Sequence, residues 1–103
     1  MERSFYIAGV QYHEMNKVLD ILDDGMELTL VPEPTNKYDP NAVRIEFDDT
    51  MLGYIPKQFS SEIAGALELG TELVCIITDF NKTASPWEQC KVTISEIEEE
   101  DIA

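Results

Sequence analysis

Apolar positions recur with a period of two over several short stretches of this chain, and with a period near 3.6 over two others. Ser4–Val10 (SFYIAGV) is dense in aromatic and β-branched residues and predicts a first strand. Gly9 within it signals a bulge or a close backbone approach. Met15, Val18, Leu19 and Leu22 fall at i, i+3, i+4 and i+7, predicting a short helix over Glu14–Leu22. Asp23 and Asp24 oppose the dipole at its end, and Gly25 suits a left-handed cap. Met26, Leu28 and Leu30 then alternate with Glu27, Thr29 and Val31 as a second strand. Val43, Ile45 and Phe47 alternate with Arg44 and Glu46 as a third, and Asp48-Asp49-Thr50 turns the chain into a hairpin partner over Met51–Pro56. Lys57–Leu69 places Phe59, Ile63, Ala66 and Leu67 on one helical face and Glu62 and Glu68 on the other, with Gly70 as the stop. Thr71–Phe80 is apolar on both faces in its middle, as a central strand is, and Trp87–Ser95 is a last strand with Cys90, Val92 and Ile94 inward.

The order is strand, helix, three strands, helix, two strands. Six short strands are more than one flat sheet of a small domain needs. A mainly β (α+β) fold follows, with a curled sheet or small barrel whose ends the two helices plug.

Glu33–Val43 (EPTNKYDPNAV) interrupts this alternation. Pro34 and Pro40 fix their own φ and push Glu33 and Asp39 into extended backbone, so no helix runs through. Asn36, Asp39 and Asn41 are suited to bond the backbone a residue or two on, which makes the loop rigid from within. Such a loop, presenting Tyr38 beside a carboxylate, is a candidate ligand platform. On local chemistry the alternative stays open that Asp39 and Asn41 merely close turns while Tyr38 packs on the neighbouring strand.

Length and charge change the picture in two ways. A chain of 103 residues is one domain, assigned here to residues 1–95, followed by an acidic tail over 96–103 that frays. There is no apolar run long enough to span a membrane, and MERSFYIAGV is too short and too quickly polar for a secretory signal, so a cytoplasmic location is expected. Cys75 and Cys90 are far apart and lack a CxxC or histidine context. Free, reduced thiols are expected, although their strands are placed to face each other. The net charge of −14 argues against general binding to nucleic acid or to an anionic membrane.

Catalytic chemistry finds little support. His13, the single histidine, lacks the second histidine of an HExxH pattern and reads as a capping or surface residue. No serine sits in a nucleophile elbow, no glycine-rich loop cradles phosphate, and Glu33 and Asp39 alone supply too few oxygens for a Ca²⁺ or Mg²⁺ site. Neither an enzyme nor a cofactor is expected.

Gly53–Lys57 reads GYIPK. Taken with EPTNKYDPNAV, the hairpin between them, YIAGV at Tyr6–Val10, ELTLVPEP at Glu27–Pro34 and an amphipathic helix ending in glycine, it closely resembles the HIRAN domain over about Phe5 to Ile94. The resemblance implies a small OB-like six-stranded barrel with two short accessory helices. It also implies a module that binds single-stranded DNA and captures the free 3′ end. Carried onto this chain, Tyr38 would stack on a base and Asp39 would accept the terminal 3′-hydroxyl proton. Tyr6 would line the same pocket, Tyr54 and Lys57 would approach base and phosphate, and Trp87 would offer another stacking ring. Two positions depart from the DNA-binding pattern. Phe5 stands where those members carry a basic residue, and Tyr54 where some carry histidine. Lys37, Lys57 and Lys82 are the bases expected near the site. The competing reading is an acidic protein-interaction module that docks a basic partner or presents a DNA-like surface. A neutral or positive patch around Tyr38 and Lys57 favours DNA; a uniformly negative surface favours protein.

Overall fold

Six strands form, the first over Glu2–Tyr6 and so earlier than the expected Ser4–Val10: β1 (Glu2–Tyr6), β2 (Glu27–Pro32), β3 (Val43–Phe47), β4 (Thr50–Tyr54), β5 (Leu73–Phe80) and β6 (Cys90–Glu96). In the computed structural model, which describes residues 1–97, they make one antiparallel sheet in the order β1-β6-β5-β2-β3-β4. The sheet curls into a half-barrel, as an OB-like fold does. Its two edges meet just beyond β1, where Ala8 N–H donates to the Tyr54 carbonyl at 2.8 Å and Tyr54 N–H donates to the Ala8 carbonyl at 2.9 Å. That bridge joins the two edges of the sheet at one point.

Inward residues of the strands make the core. Ile7, Val43, Ile45, Leu52, Cys75, Ile77, Val92 and Ile94 are all buried. Both cysteines are free and buried, and burial pushes each thiol up to about 12, so they act as small hydrophobes. A bulge between Ile45 and Glu46 lets adjacent Leu52 and Gly53 both turn inward on β4. Gly53 is required there. A Cβ at this position would run into the Ala8 carbonyl oxygen and sit 2.7 Å from Ile7 Cγ2. The hairpin tip, Asp48-Asp49, has φ of 48° and 66°, the left-handed pair a two-residue turn needs.

The second predicted helix is α1 (Lys57–Glu68). Ile63 is its buried anchor, Phe59, Ala64 and Leu67 pack on the core beside it, and Phe59 stacks on Phe5 with ring centroids 5.2 Å apart. Phe5 is therefore a core residue of the β1–α1 contact.

The first predicted helix does not form. Met15, Val18 and Leu22 are buried, as their spacing requires, but the backbone is a series of tight turns with a single 3₁₀ turn at Met15–Lys17. Lys17 N–H donates to Glu14 O and Val18 N–H to Met15 O, both i to i+3. Nine residues are too few to sustain an α-helix alone. Glu14 N–H, at the start of the segment, donates to Met51 O of β4 at 3.0 Å. Gly9 likewise marks neither a bulge nor a close approach. At φ 70° it turns the chain out of the β1 direction into a 3₁₀ turn over Val10–Tyr12. A third such turn, Pro86–Glu88, precedes β6, so the last strand starts at Cys90 and not at Trp87. Of the proposed tail, Glu96 ends β6, and residues 98–103 lie outside the described residues.

Candidate nucleic-acid interface

The loop between β2 and β3 is built by its own polar side chains. Glu33 N–H donates to Ala42 O at 2.8 Å and ties the two ends together. Asn36 Oδ1 accepts from Tyr38 N–H (2.8 Å) and Asp39 N–H (3.1 Å), turning the chain between the prolines. Asp39 Oδ1 accepts from Asn41 N–H at 2.9 Å, and its Oδ2 accepts from Ser60 Oγ–H of α1 at 2.9 Å. Asp39 thus closes a turn and pins the loop to the helix. Tyr38 does not pack on the neighbouring strand: it stands 88% exposed, its backbone held and its ring free.

Beneath the loop lies Glu33. Its Oε1 accepts from Asn36 Nδ2 (3.0 Å) and from the Tyr54 hydroxyl (2.7 Å), and its Oε2 faces Arg44 at 3.3 Å. Arg44 Nε also lies 2.6 Å from Glu46 Oε2, as an ion pair whose N–H is not aligned for a hydrogen bond. Burial raises the Glu33 pKa, but the Asn36 amide, the Tyr54 hydroxyl and the Arg44 charge outweigh it and hold the carboxyl below its ordinary value. Burial and the Glu33 carboxylate together raise that of Tyr54.

Loop, bridge and helix start enclose an open groove of about 570 Å³. It is lined by Ala8, Gly9, Tyr12 and His13 from the segment after β1, by Asn36, Tyr38, Asp39 and Ala42 from the loop, and by Tyr54, Ile55 and Lys57. His13 meets Tyr54 edge-on, ring centroids 5.5 Å apart. Lys57 opens α1, where its charge adds to the positive end of the helix dipole. Over residues 2–96 the chain matches the model of the HIRAN domain family. The chain belongs to this family.

Among solved structures, this HIRAN domain is similar to the HIRAN domain of human HLTF, with a TM-score of 0.75 at 14% identity, covering 97% of this chain and 78% of that one. It is also similar to a protein from Lactobacillus plantarum, with a TM-score of 0.79 at 21% identity over 93% and 97% of the two chains. At these identities the likeness establishes the fold. A Fanconi-associated nuclease 1 homolog of Oryza sativa subsp. japonica is 30% identical over 66 residues, which are 60% of this chain and 6% of that protein.

Four of the six residues singled out in the sequence of this HIRAN domain gather at the groove: Tyr38, Asp39, Tyr54 and Lys57. Tyr6 and Trp87 do not line it. Tyr6 lies on the outer face of β1 with Lys91 Nζ 5.9 Å from its ring centre. Trp87 is exposed on the turn whose Pro86, with Gln89, lines a neighbouring groove of about 300 Å³. His13 caps the 3₁₀ turn over Val10–Tyr12, its N–H donating to Val10 O, and its side chain borders both grooves. Tyr12 lines the groove as well, but it falls between the predicted first strand and the helical spacing that begins at Met15, so no periodicity marks it.

Charge is sorted around the site. Arg3, Lys17, Arg44 and Lys82 pair with Glu62, Glu14, Glu33 with Glu46, and Asp20 respectively. Lys82 is therefore taken up by Asp20, away from its expected place at the site. Among the described residues, Lys37, Lys57 and Lys91 have no acidic partner. Lys57 lines the groove, Lys37 precedes Tyr38 in the loop, and Lys91 covers Tyr6.

Proposed function

We propose that this HIRAN domain binds the 3′ end of single-stranded DNA in the groove between the Glu33–Val43 loop and the Gly9–His13 turn. Tyr38 stacks on the terminal base, Asp39 accepts the terminal 3′-hydroxyl, Lys57 meets the nearest phosphate, and Tyr54 forms the floor. Tyr6 beside Lys91 flanks the strand on one side. Trp87, across His13, offers a ring to a nucleotide farther from the end.

One observation carries the reading. In a chain of net charge −14, the groove is lined by one lysine and one aspartate and is formally neutral, with aromatic rings on its walls. Membership of a family of DNA-binding modules supports the ligand class. A carboxylate acceptor for a hydroxyl repels a phosphate in the same place, which gives the end selectivity its physical basis. The alternative, an acidic module for a basic protein, calls for a uniformly negative surface, and the groove departs from that.

Anisotropy titrations of labelled oligonucleotides ending in a 3′-hydroxyl or a 3′-phosphate test the proposal. Wild type should prefer the hydroxyl end. Asp39→Asn should narrow that preference, since Asn retains an acceptor for Asn41 N–H while the Ser60 hydroxyl is free to accept from the new amide. Tyr38→Ala should weaken binding by roughly 1–3 kcal/mol, one stacking contact. Absence of binding at low salt, or indifference to the end chemistry and to Asp39, would transfer the assignment to the protein-interaction module.

A further inference from the structure

We propose that Tyr12 is a second stacking face of the groove, so that the terminal base is held between the rings of Tyr12 and Tyr38. This rests on the DNA-end reading above and adds a residue to it. The two tyrosines come from separate segments and line one groove, yet make no ring contact with each other. Tyr12 is 79% exposed, and among the described residues its hydroxyl forms no hydrogen bond within the chain. A ring so placed contributes little to the fold.

Its backbone, by contrast, is fixed. Gly9 at φ 70° starts the turn, and Tyr12 N–H donates to Gly9 O at 3.0 Å. His13 N–H donates to Val10 O at 3.2 Å, and Glu14 N–H ties the segment to Met51 O of β4 at 3.0 Å. Val10 and Met15, on either side, are buried anchors. Tyr38 has the same character in the loop: a held backbone and a side chain left to solvent. Tyrosine needs only two side-chain torsions set to present a large flat surface, so two such rings on held backbones make a low-cost clamp for a planar base. Tyr54 cannot serve in this way, because its hydroxyl is held by Glu33 and its ring meets His13 edge-on.

The test uses the whole chain and two single-stranded oligonucleotides, alike except that one ends in a 3′-terminal adenosine and the other in an abasic residue. Tyr12→Ala should weaken binding of the adenosine end by about fivefold to 150-fold, one stacking contact, with Tyr12→Phe close to wild type. The abasic end should be indifferent to both changes, and the melting temperature should not move. Unchanged affinity in Tyr12→Ala, with Tyr38→Ala weakened, would overturn the role of Tyr12 and leave the groove assignment standing. Equal losses on both oligonucleotides would overturn it too, because they would mean a contact that does not involve the base. If wild type binds neither oligonucleotide, the groove assignment and the clamp fall together.

Discussion

At the scale of single residues, the site is divided between groups that face the groove and groups spent on holding it. Tyr54 and Glu33 belong to the second kind: the hydroxyl and the carboxylate bond each other at 2.7 Å, with Asn36 and Arg44 completing the cluster. The resemblance marks Tyr54 as a candidate site residue but not the direction of its hydroxyl, since Glu33 lies 21 positions away and only the sheet brings them together. Asp39 was legible in both of its guises, as a turn-closing side chain and as a groove carboxylate; its bond to Ser60 was not. The Glu33–Tyr54 pair predicts a definite pH response. A lowered carboxyl pKa gives stability that is complete above the ordinary value of 4.5 and lost as pH falls through the folded value. A raised tyrosine pKa gives stability complete below the ordinary value of 10 and lost as pH rises through the folded value. Urea midpoints measured across pH should therefore fall on both flanks. Tyr54→Phe should flatten the alkaline flank and lower stability at pH 7 by about 1 kcal/mol. Glu33→Gln should flatten the acid one. Flanks that are unchanged in both variants would count against the pair.

Among the elements, the strands and α1 follow from periodicity because their inward residues are buried by partners far along the chain, whatever the local backbone. The segment from Met15 to Leu22 shows the limit of that logic. Spacing fixed which side chains are buried, and tight turns with a single 3₁₀ turn at Met15–Lys17 bury them, because so short a segment has little helical stability of its own. A helical wheel registers the buried side but not the backbone that provides it. Closure of the half-barrel is a second feature of this kind: GYIPK stands out in the sequence, but its glycine has a purpose only beside Ala8. Gly53→Ala should destabilise the fold by about 2 kcal/mol or more, as a methyl forced against backbone has no side-chain end to displace. Chemical denaturation reads this directly. Gly65→Ala is the matching control. Its new Cβ meets nothing within 4 Å, and it should be neutral or stabilising because alanine is the better helix former.

For the whole molecule, the governing quantity is the distribution of seven bases against 21 acids. Their totals are plain in the sequence, but which bases are already neutralised depends on the fold. Four are held in ion pairs, and three without acidic partners among the described residues stand in the groove, next to Tyr38 or over Tyr6. On the proposed function, DNA affinity would come mainly from stacking and end recognition, since the net charge of −14 opposes phosphate. Each lysine–phosphate contact on a single strand releases about 0.7 of a counterion, so three contacts bound the slope of log K against log salt at about −2. Lys57→Ala should weaken binding evenly across sequences and reduce the slope by about 0.7. Lengthening the oligonucleotide beyond the few nucleotides these lysines reach should add little affinity, because the other four bases are held in ion pairs among the described residues. Titrations at several salt concentrations, with short and long oligonucleotides, measure all three quantities. A slope much steeper than −2, or affinity that climbs steadily with length, would mean that Arg3, Lys17, Arg44 or Lys82, each ion-paired among the described residues, leaves its acid for phosphate and would overturn the three-lysine account.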